Sequence, residues 1–204
     1  MTSMTSMTRY LVFDTETTGL PPRHSVYKKY HEPHQFELYN KCRIVELAMT
    51  SCVYNKNENT HSDVVNFSNI VRPDEFVIEN ESIHHISNTL AEMYGTSIQY
   101  VLDMFMNEVK QADVLVAHNI EFDIHVILAE LYRQNRTSDV NIIYQKKWYC
   151  TMLHGMAFMK AERWPTLVNL YKHVYPNAHI EQTHRAMDDV WICKQCFQRI
   201  YTES

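Results

Sequence analysis

The sequence has no apolar run long enough to cross a membrane, no apolar leader at its start and no excess of positive charge. A helical span needs about 20 consecutive apolar residues, so no membrane partner is expected. The opening MTSMTSMT is a short tandem repeat without the apolar stretch of a secretory signal or the arginines of a transit peptide, and residues 1–8 are expected to be a flexible start. Cysteine is sparse: Cys42, Cys52, Cys150, Cys193 and Cys196 are odd in number and scattered, which argues against a disulfide framework and for a reducing, intracellular compartment, cytoplasmic or nuclear. Cys193 and Cys196 have C-x-x-C spacing, but without a second pair and inside a helical pattern they read as structural thiols rather than zinc ligands. The net charge of −5 lacks the basic surface that phosphate contacts usually demand. Two bound divalent cations would add four positive charges and bring the total to −1, so charge alone does not exclude a polyanionic substrate.

What is present is a chain of 204 residues, 45% apolar, which suits one domain, residues 9–204, with a full-sized core. Tyr10 to Phe13 reads as a strand buried on both faces, and it runs into Asp14-Thr15-Glu16 before a Thr-Thr-Gly turn signal. Residues 21–40, rich in His, Tyr and Lys, read as a long loop or insertion. RIVELAMTSCVY and DVVNFSNIVRP read as two more strands, joined by NKNENTH into an antiparallel meander. A helix follows from Ser97 or Thr96 as N-cap, then the short buried strand DVLVAHN, and the remainder reads as mainly helical, with Pro165 in the first turn of one helix. Strands first, then strand and helices, imply an α/β mixed sheet flanked by helices.

Strand residues two apart share a face at roughly 6.6 to 6.8 Å, so Asp14 and Glu16 point the same way and Thr15 does not. Like charges so placed repel unless something cationic lies between them. In the final helix, Ala186, Val190, Cys193, Phe197 and Ile200 form one apolar stripe; Asp189 lies on its edge and Asp188 nearly opposite. Asp188 is explained by the favourable dipole of a first turn. His184 is expected on the segment leading into that helix. In NIEFDIHVILAEL the stripe is Ile120, Ile124, Ile127, Leu128 and Leu131, with Asp123 flanking it and Phe122 projecting away, either as a satellite contact or as a stacking surface for a base. Four carboxylates at the ends of core elements, with no cysteine among them, suit hard cations, Mg²⁺ or Mn²⁺. Two such ions can hold the attacking and leaving oxygens of a phosphodiester in line, with a nearby His taking a proton from water.

The segments D-T-E-T-T-G-L (Asp14 to Leu20), V-A-H-N-I-E-F-D (Val116 to Asp123) and H-R-A-M-D-D (His184 to Asp189) resemble the three motifs of the DEDDh 3′→5′ exonucleases. These are ribonuclease-H-like relatives of the proofreading subunit of bacterial replicative polymerase, and RIVELA, SIHHIS and PTLVNLYKHVY also resemble segments of the family. The resemblance implies a ribonuclease-H-like five-stranded mixed sheet, three antiparallel strands followed by parallel ones. It makes Asp14, Glu16, Asp123 and Asp189 the ligands of two Mg²⁺ or Mn²⁺ ions and His184 the general base. Thr15, Thr17, Leu20, Phe122, His118 and Asn119 become candidates for gripping the 3′-terminal nucleotide. His84 matches the family's HGI segment, with His85 in place of the usual Gly. Residues 21–40 depart from the family pattern, either as a substrate clamp, VYKKYH offering cations and rings together, or as a surface insertion; His31 and His34 within it read as solvated.

The expected activity is release of nucleoside 5′-monophosphates from the 3′ end of DNA, and the expected ligand is a single-stranded nucleic acid with a free 3′ end. An RNA-trimming enzyme of the same chemistry and a non-catalytic module binding nucleic acid or a polymerase are the alternatives. A proofreading or repair role would need a polymerase or other replication protein in trans.

Overall fold

The computed structural model describes residues 7–27, 29–180 and 185–202. Strands β1 (Met7–Thr17), β2 (Ile44–Asn55) and β3 (Thr60–Ile70) form an antiparallel meander; β4 (Val114–Ala117) and β5 (Lys147–Cys150) run parallel to β1, giving the order β3-β2-β1-β4-β5. This is the mixed five-stranded sheet expected. Helices α1 (Glu81–His84), α2 (Asn88–Tyr94), α3 (Ile98–Gln111), α4 (Ile120–Arg133), α5 (Thr137–Gln145), α6 (Thr151–Met159), α7 (Leu167–Val174) and α8 (Ala186–Thr202) flank it. Among the described residues no helix is long and apolar enough to cross a membrane.

Three readings of the pattern need correction. Met7 and Thr8 belong to β1, paired with Asn55 and Tyr54, so that part of the expected flexible start is strand; residues 1–6 lie outside the described residues. The mainly helical region after β4 also holds a strand that the pattern did not locate: β5 pairs with β4 through four residues, too few to show an alternation. Pro165 precedes α7 rather than opening it, because Thr166 is the N-cap and its hydroxyl accepts from the Asn169 amide at 3.2 Å. Ser97 caps α3 as expected, accepting from Tyr100 N at 3.2 Å.

The alternation of side chains along β1 divides the core. Leu11 and Phe13 face α3 and α4 and join one buried cluster with Leu47, Met49, Phe105, Ile124 and Ile127. Tyr10 and Val12 face α7 and α8 and join a second with Ala48, Leu170, Val190, Cys193 and Phe197. The whole predicted stripe of α8 is buried there, as is that of α4 in the first cluster. By the same parity Thr15 falls on the α4 face, and Asp14 and Glu16 fall on the α8 face. β1 pairs with β4 only through Tyr10 to Val12, so it projects past the end of β4 and presents these residues at the carboxyl edge of the parallel strands. That edge is where open α/β sheets bind ligands.

Candidate active site

Asp14 and Glu16, half-buried, meet Asp189, buried in the first turn of α8: one carboxylate oxygen from each lies within 4.8 Å of the others. Asp188 is exposed, as the helical-face argument requires. Asp123 reaches the same edge from the opposite side of the sheet. Its Oδ1 accepts from the Thr15 amide at 3.0 Å and from the Thr15 hydroxyl at 2.7 Å, and the residue is only 2% exposed. The one residue of the D-T-E triplet that points away from the cluster therefore holds the fourth acid in place. Both Asp123 and Asp189 stand in first turns, where the positive ends of α4 and α8 favour negative charge.

The concentration of carboxylates shows in their proton affinities. Burial, then the charges of Asp123, Asp189 and Glu16, holds the Asp14 carboxyl well above the usual range. Burial and the charges of Asp189, Glu46 and Asp123 push Glu16 up to about 8. Burial raises Asp123 to about 7, against the two hydrogen bonds from Thr15, which pull it down. Four mutually repelling oxygen donors, with no thiolate among them, fit hard divalent cations: a cation between them relieves the repulsion that otherwise protonates them. Asp14, Glu16 and Asp189 would hold it, with Asp123 beside them. Cys193 lies beneath Asp14 and Asp123, but burial pushes its thiol far up, so it stays protonated and takes no part as a ligand.

The profile of the RNase_T exonuclease family matches residues 11–197. The chain belongs to this family, the DEDDh exonucleases. No curated protein sequence matches it. Among solved structures, E. coli exonuclease I in complex with single-stranded DNA and zinc aligns with 97% of this chain at 15% identity and a TM-score of 0.65. Cell-death related nuclease 4 aligns with 96% of the chain and 64% of its own, at 14% identity and a TM-score of 0.61. A 3′-exonuclease that recognises the 3′ end of a histone mRNA stem-loop aligns with 96% and 64%, at 12% identity and 0.58. At such identities the likeness establishes the fold. The chain spans 41% of the length of E. coli exonuclease I.

Two further residues of this DEDDh chain bear on the site, Glu46 within RIVELA and Arg185 within H-R-A-M-D-D, although neither is a candidate from the sequence. Glu46, in β2, is directly opposite Glu16 in the strand register and only 1% exposed. Like charges placed directly opposite are destabilising; here Arg185 forms a two-pronged bond to Glu46, Nη2 to Oε1 at 2.7 Å and Nε to Oε2 at 3.0 Å. The same carboxylate accepts from the Ala186 amide at 3.2 Å and the Ser68 hydroxyl at 3.1 Å. Glu46 thus caps α8 from a neighbouring strand and fixes the turn that presents Asp189. The register with β2 shifts between Glu16 and Thr17, as at a β-bulge, so that Thr17 pairs with Ile44 where the strand ends.

The remaining candidates separate. His118 has both ring nitrogens engaged inside the fold: Nε2 lies 3.1 Å from the Pro165 carbonyl and Nδ1 lies 3.0 Å from the Thr151 hydroxyl. A carbonyl only accepts, so Nε2 carries the proton and Thr151 donates to Nδ1; burial lowers the ring to about 4, which keeps it neutral. No ring donor is left for a nucleotide, and His118 acts as a strut between β4 and the segment before α7. His84 is buried as well, its Nδ1 accepting from Ile86 N at 3.1 Å, while Nε2 has no hydrogen-bond partner among the described residues. His85 adopts the left-handed conformation, φ 59°, that glycine favours, so the backbone keeps that turn without a glycine. Asn119, also left-handed at φ 64°, is the N-cap residue of α4 without a side-chain cap bond. Thr17 donates to the Gly19 carbonyl at 2.7 Å, shaping the turn that leaves Leu20 82% exposed. Phe122 does not project freely: it is half-buried against the first core cluster, because the end of α4 lies close to the sheet. His184 lies outside the described residues.

Proposed function

We propose that this chain is a metal-dependent 3′→5′ exonuclease that removes nucleoside 5′-monophosphates from a DNA 3′ end. The observation that carries the reading is the convergence of Asp14, Glu16 and Asp189 within 4.8 Å, with Asp123 tied to Thr15 at the same sheet edge. Asp14, Glu16, Asp123 and Asp189 are the proposed ligands of two Mg²⁺ or Mn²⁺ ions. Once bound, divalent cations supply charge neutralisation and Lewis-acid polarisation at a phosphodiester. His184, next in sequence to the Glu46-bound Arg185, is the proposed general base: it takes a proton from water as the oxygen attacks phosphorus and the bond from phosphorus to the 3′ oxygen breaks. Thr15, Thr17, Leu20 and Phe122 are the residues proposed to border the terminal nucleotide, Thr15 through its backbone. The five free, buried cysteines fit the proposed intracellular setting, in which a polymerase or repair protein would be a partner in trans.

Degradation of 3′-labelled and 5′-labelled single-stranded oligonucleotides in Mg²⁺, Mn²⁺ or EDTA, with Asp14→Ala as control, tests this. Metal-dependent loss of the 3′ label first, absent in the variant, is the expected result; binding without degradation in either metal overturns it in favour of a non-catalytic module. A second reading, an exoribonuclease of the same chemistry, is supported by the shared fold of the 3′-exonuclease that recognises a histone mRNA stem-loop. The ratio of DNA to RNA rates in the same assay separates the two, since discrimination would come from contacts to the 2′-hydroxyl.

A further inference from the structure

Residues 22–31, PRHSVYKKYH, contain Arg23, Lys28 and Lys29 and no acid, in a chain whose net charge is −5. Their described residues, 22–27 and 29–31, form the two paired arms of a small hairpin rather than a wandering loop. His24 N donates to the Lys29 carbonyl at 2.8 Å, His31 N donates to the Pro22 carbonyl at 2.9 Å, and Arg23 and Tyr30 form the bridge between the two arms. The Arg23 guanidinium lies 4.8 Å from the centre of the Tyr30 ring and donates to its hydroxyl at 3.1 Å. The base of the hairpin is pinned: the Tyr39 hydroxyl donates to the His31 carbonyl, and Arg133 of α4 donates to the Phe36 carbonyl at 3.0 Å and to Asn40 Oδ1 at 2.9 Å.

The hairpin leans on the helix that carries Asp123. Tyr30 packs on His125 with ring centres 5.1 Å apart. His125 is three residues beyond Phe122 and so lies on the same side of α4, about 4.5 Å further along its axis. At the other arm, Leu20, the last residue of the D-T-E-T-T-G-L segment, leads through Pro21 directly into the hairpin. The outward side carries Tyr27, 71% exposed with its ring tilted against that of His24 at 4.9 Å between centres, together with exposed Arg23 and Lys29. Rings and cations on one projection, joined through Leu20 and Pro21 to the strand that carries Asp14 and Glu16, are the ingredients of sequence-tolerant single-strand binding: charge follows the backbone and aromatic faces take bases.

Resting on the exonuclease reading, we propose that the hairpin of residues 22–31 binds the single strand on the 5′ side of the scissile nucleotide, with Tyr27 as a stacking face and Arg23 and Lys29 as phosphate contacts. The consequence is a dependence on strand length that the acids alone would not create. In the triple variant Arg23→Ala, Tyr27→Ala, Lys29→Ala, kcat/KM on an oligothymidylate of about twenty nucleotides falls about tenfold, whereas on a dinucleotide it changes less than about twofold. The loss on the long strand shrinks as salt rises. Equal losses on the two substrates, or no loss on the long one, overturn the proposal; activity on the dinucleotide reports that the variant is folded. Should the unaltered chain degrade neither substrate, it is the exonuclease reading that fails. The hairpin is then judged by fluorescence anisotropy with the labelled long strand: a dissociation constant about tenfold higher in the triple variant supports it, and an unchanged one overturns it.

Discussion

Two glutamates, each almost wholly buried on opposite faces of the sheet, show how this fold handles charge. On the α4 side, Glu130 is held by Arg43, Nε to Oε1 at 2.6 Å, with Arg133 Nη1 3.5 Å from Oε2. On the α8 side, Glu46 is held by Arg185, but the same arginine is the neighbour of Glu16, and it lowers the proton affinity of Glu16 less than the surrounding acids raise it. Charge is balanced around Glu130 and left in excess around Glu46. The first arrangement ties a helix to a strand and ends there; the second raises the proton affinity of the acids at the sheet edge, which is costly unless a cation or substrate chemistry uses it.

The sharpest way to break this contrast is at the acids. Asp14→Ala or Asp189→Ala is expected to lower turnover on the order of a thousandfold or more, while Asp188→Ala, one residue away and exposed, stays within about twofold. Single-turnover assays on a 3′-labelled strand measure both, and an inactive Asp188→Ala with an active Asp189→Ala would reverse the assignment. Next come the two glutamates. Glu130→Gln breaks a pair buried on both sides and is expected to cost about 3 to 5 kcal/mol in denaturant unfolding, whereas Glu46→Gln, whose partner Arg185 is 39% exposed, is expected to cost less, about 1 to 3 kcal/mol. Only Glu46→Gln should also lower kcat, by about 10- to 100-fold at a temperature where the variant is folded, because it loosens the turn before Asp189. A similar loss of kcat in Glu130→Gln would erase the distinction.

A smaller effect is expected from Thr15→Val, which removes the 2.7 Å hydroxyl bond to Asp123 and leaves the amide bond. Turnover should fall about tenfold and the Mn²⁺ concentration for half-maximal activity should rise; unaltered metal dependence would show that the hydroxyl does not position Asp123. The mildest test concerns pH. Glu16 is raised from its ordinary 4.5 to about 8 in the folded chain. Between those values the folded state keeps a proton that the unfolded state has released, so the metal-free protein loses stability as pH rises through that window. Melting in a chelator should therefore give a lower Tm near pH 8 than near pH 5, with Mn²⁺ narrowing the gap; a Tm that climbs over this range would contradict the electrostatic picture.

Much of this site was legible because two periodicities sufficed. Alternation along β1 put Asp14 and Glu16 on one face and Thr15 on the other, and 100° steps along α8 put Asp189 rather than Asp188 inward. What could not be read was pairing across long separations. Glu46 is a single acid in an apolar strand, and its partner Arg185 is 139 residues away, joined to it only by the fold. His118 sits inside a motif, yet its two hydrogen bonds to Thr151 and Pro165 make it a structural element. β5 escaped notice because four residues are too few for a period of two, and its place is set by β4 rather than by its own sequence.

The docking of α8 has a consequence for biosynthesis. Asp14 is made early and Asp189 late, and Val190, Cys193 and Phe197 of the same helix close the core over Tyr10 and Val12. Until that helix has left the ribosome and packed down, the nascent chain has neither a closed second core layer nor a complete set of acids. On the proposed function, finishing the fold and completing the site are one event, so a stalled or truncated product ending before Ala186 would lack Asp189 and is expected to be inactive.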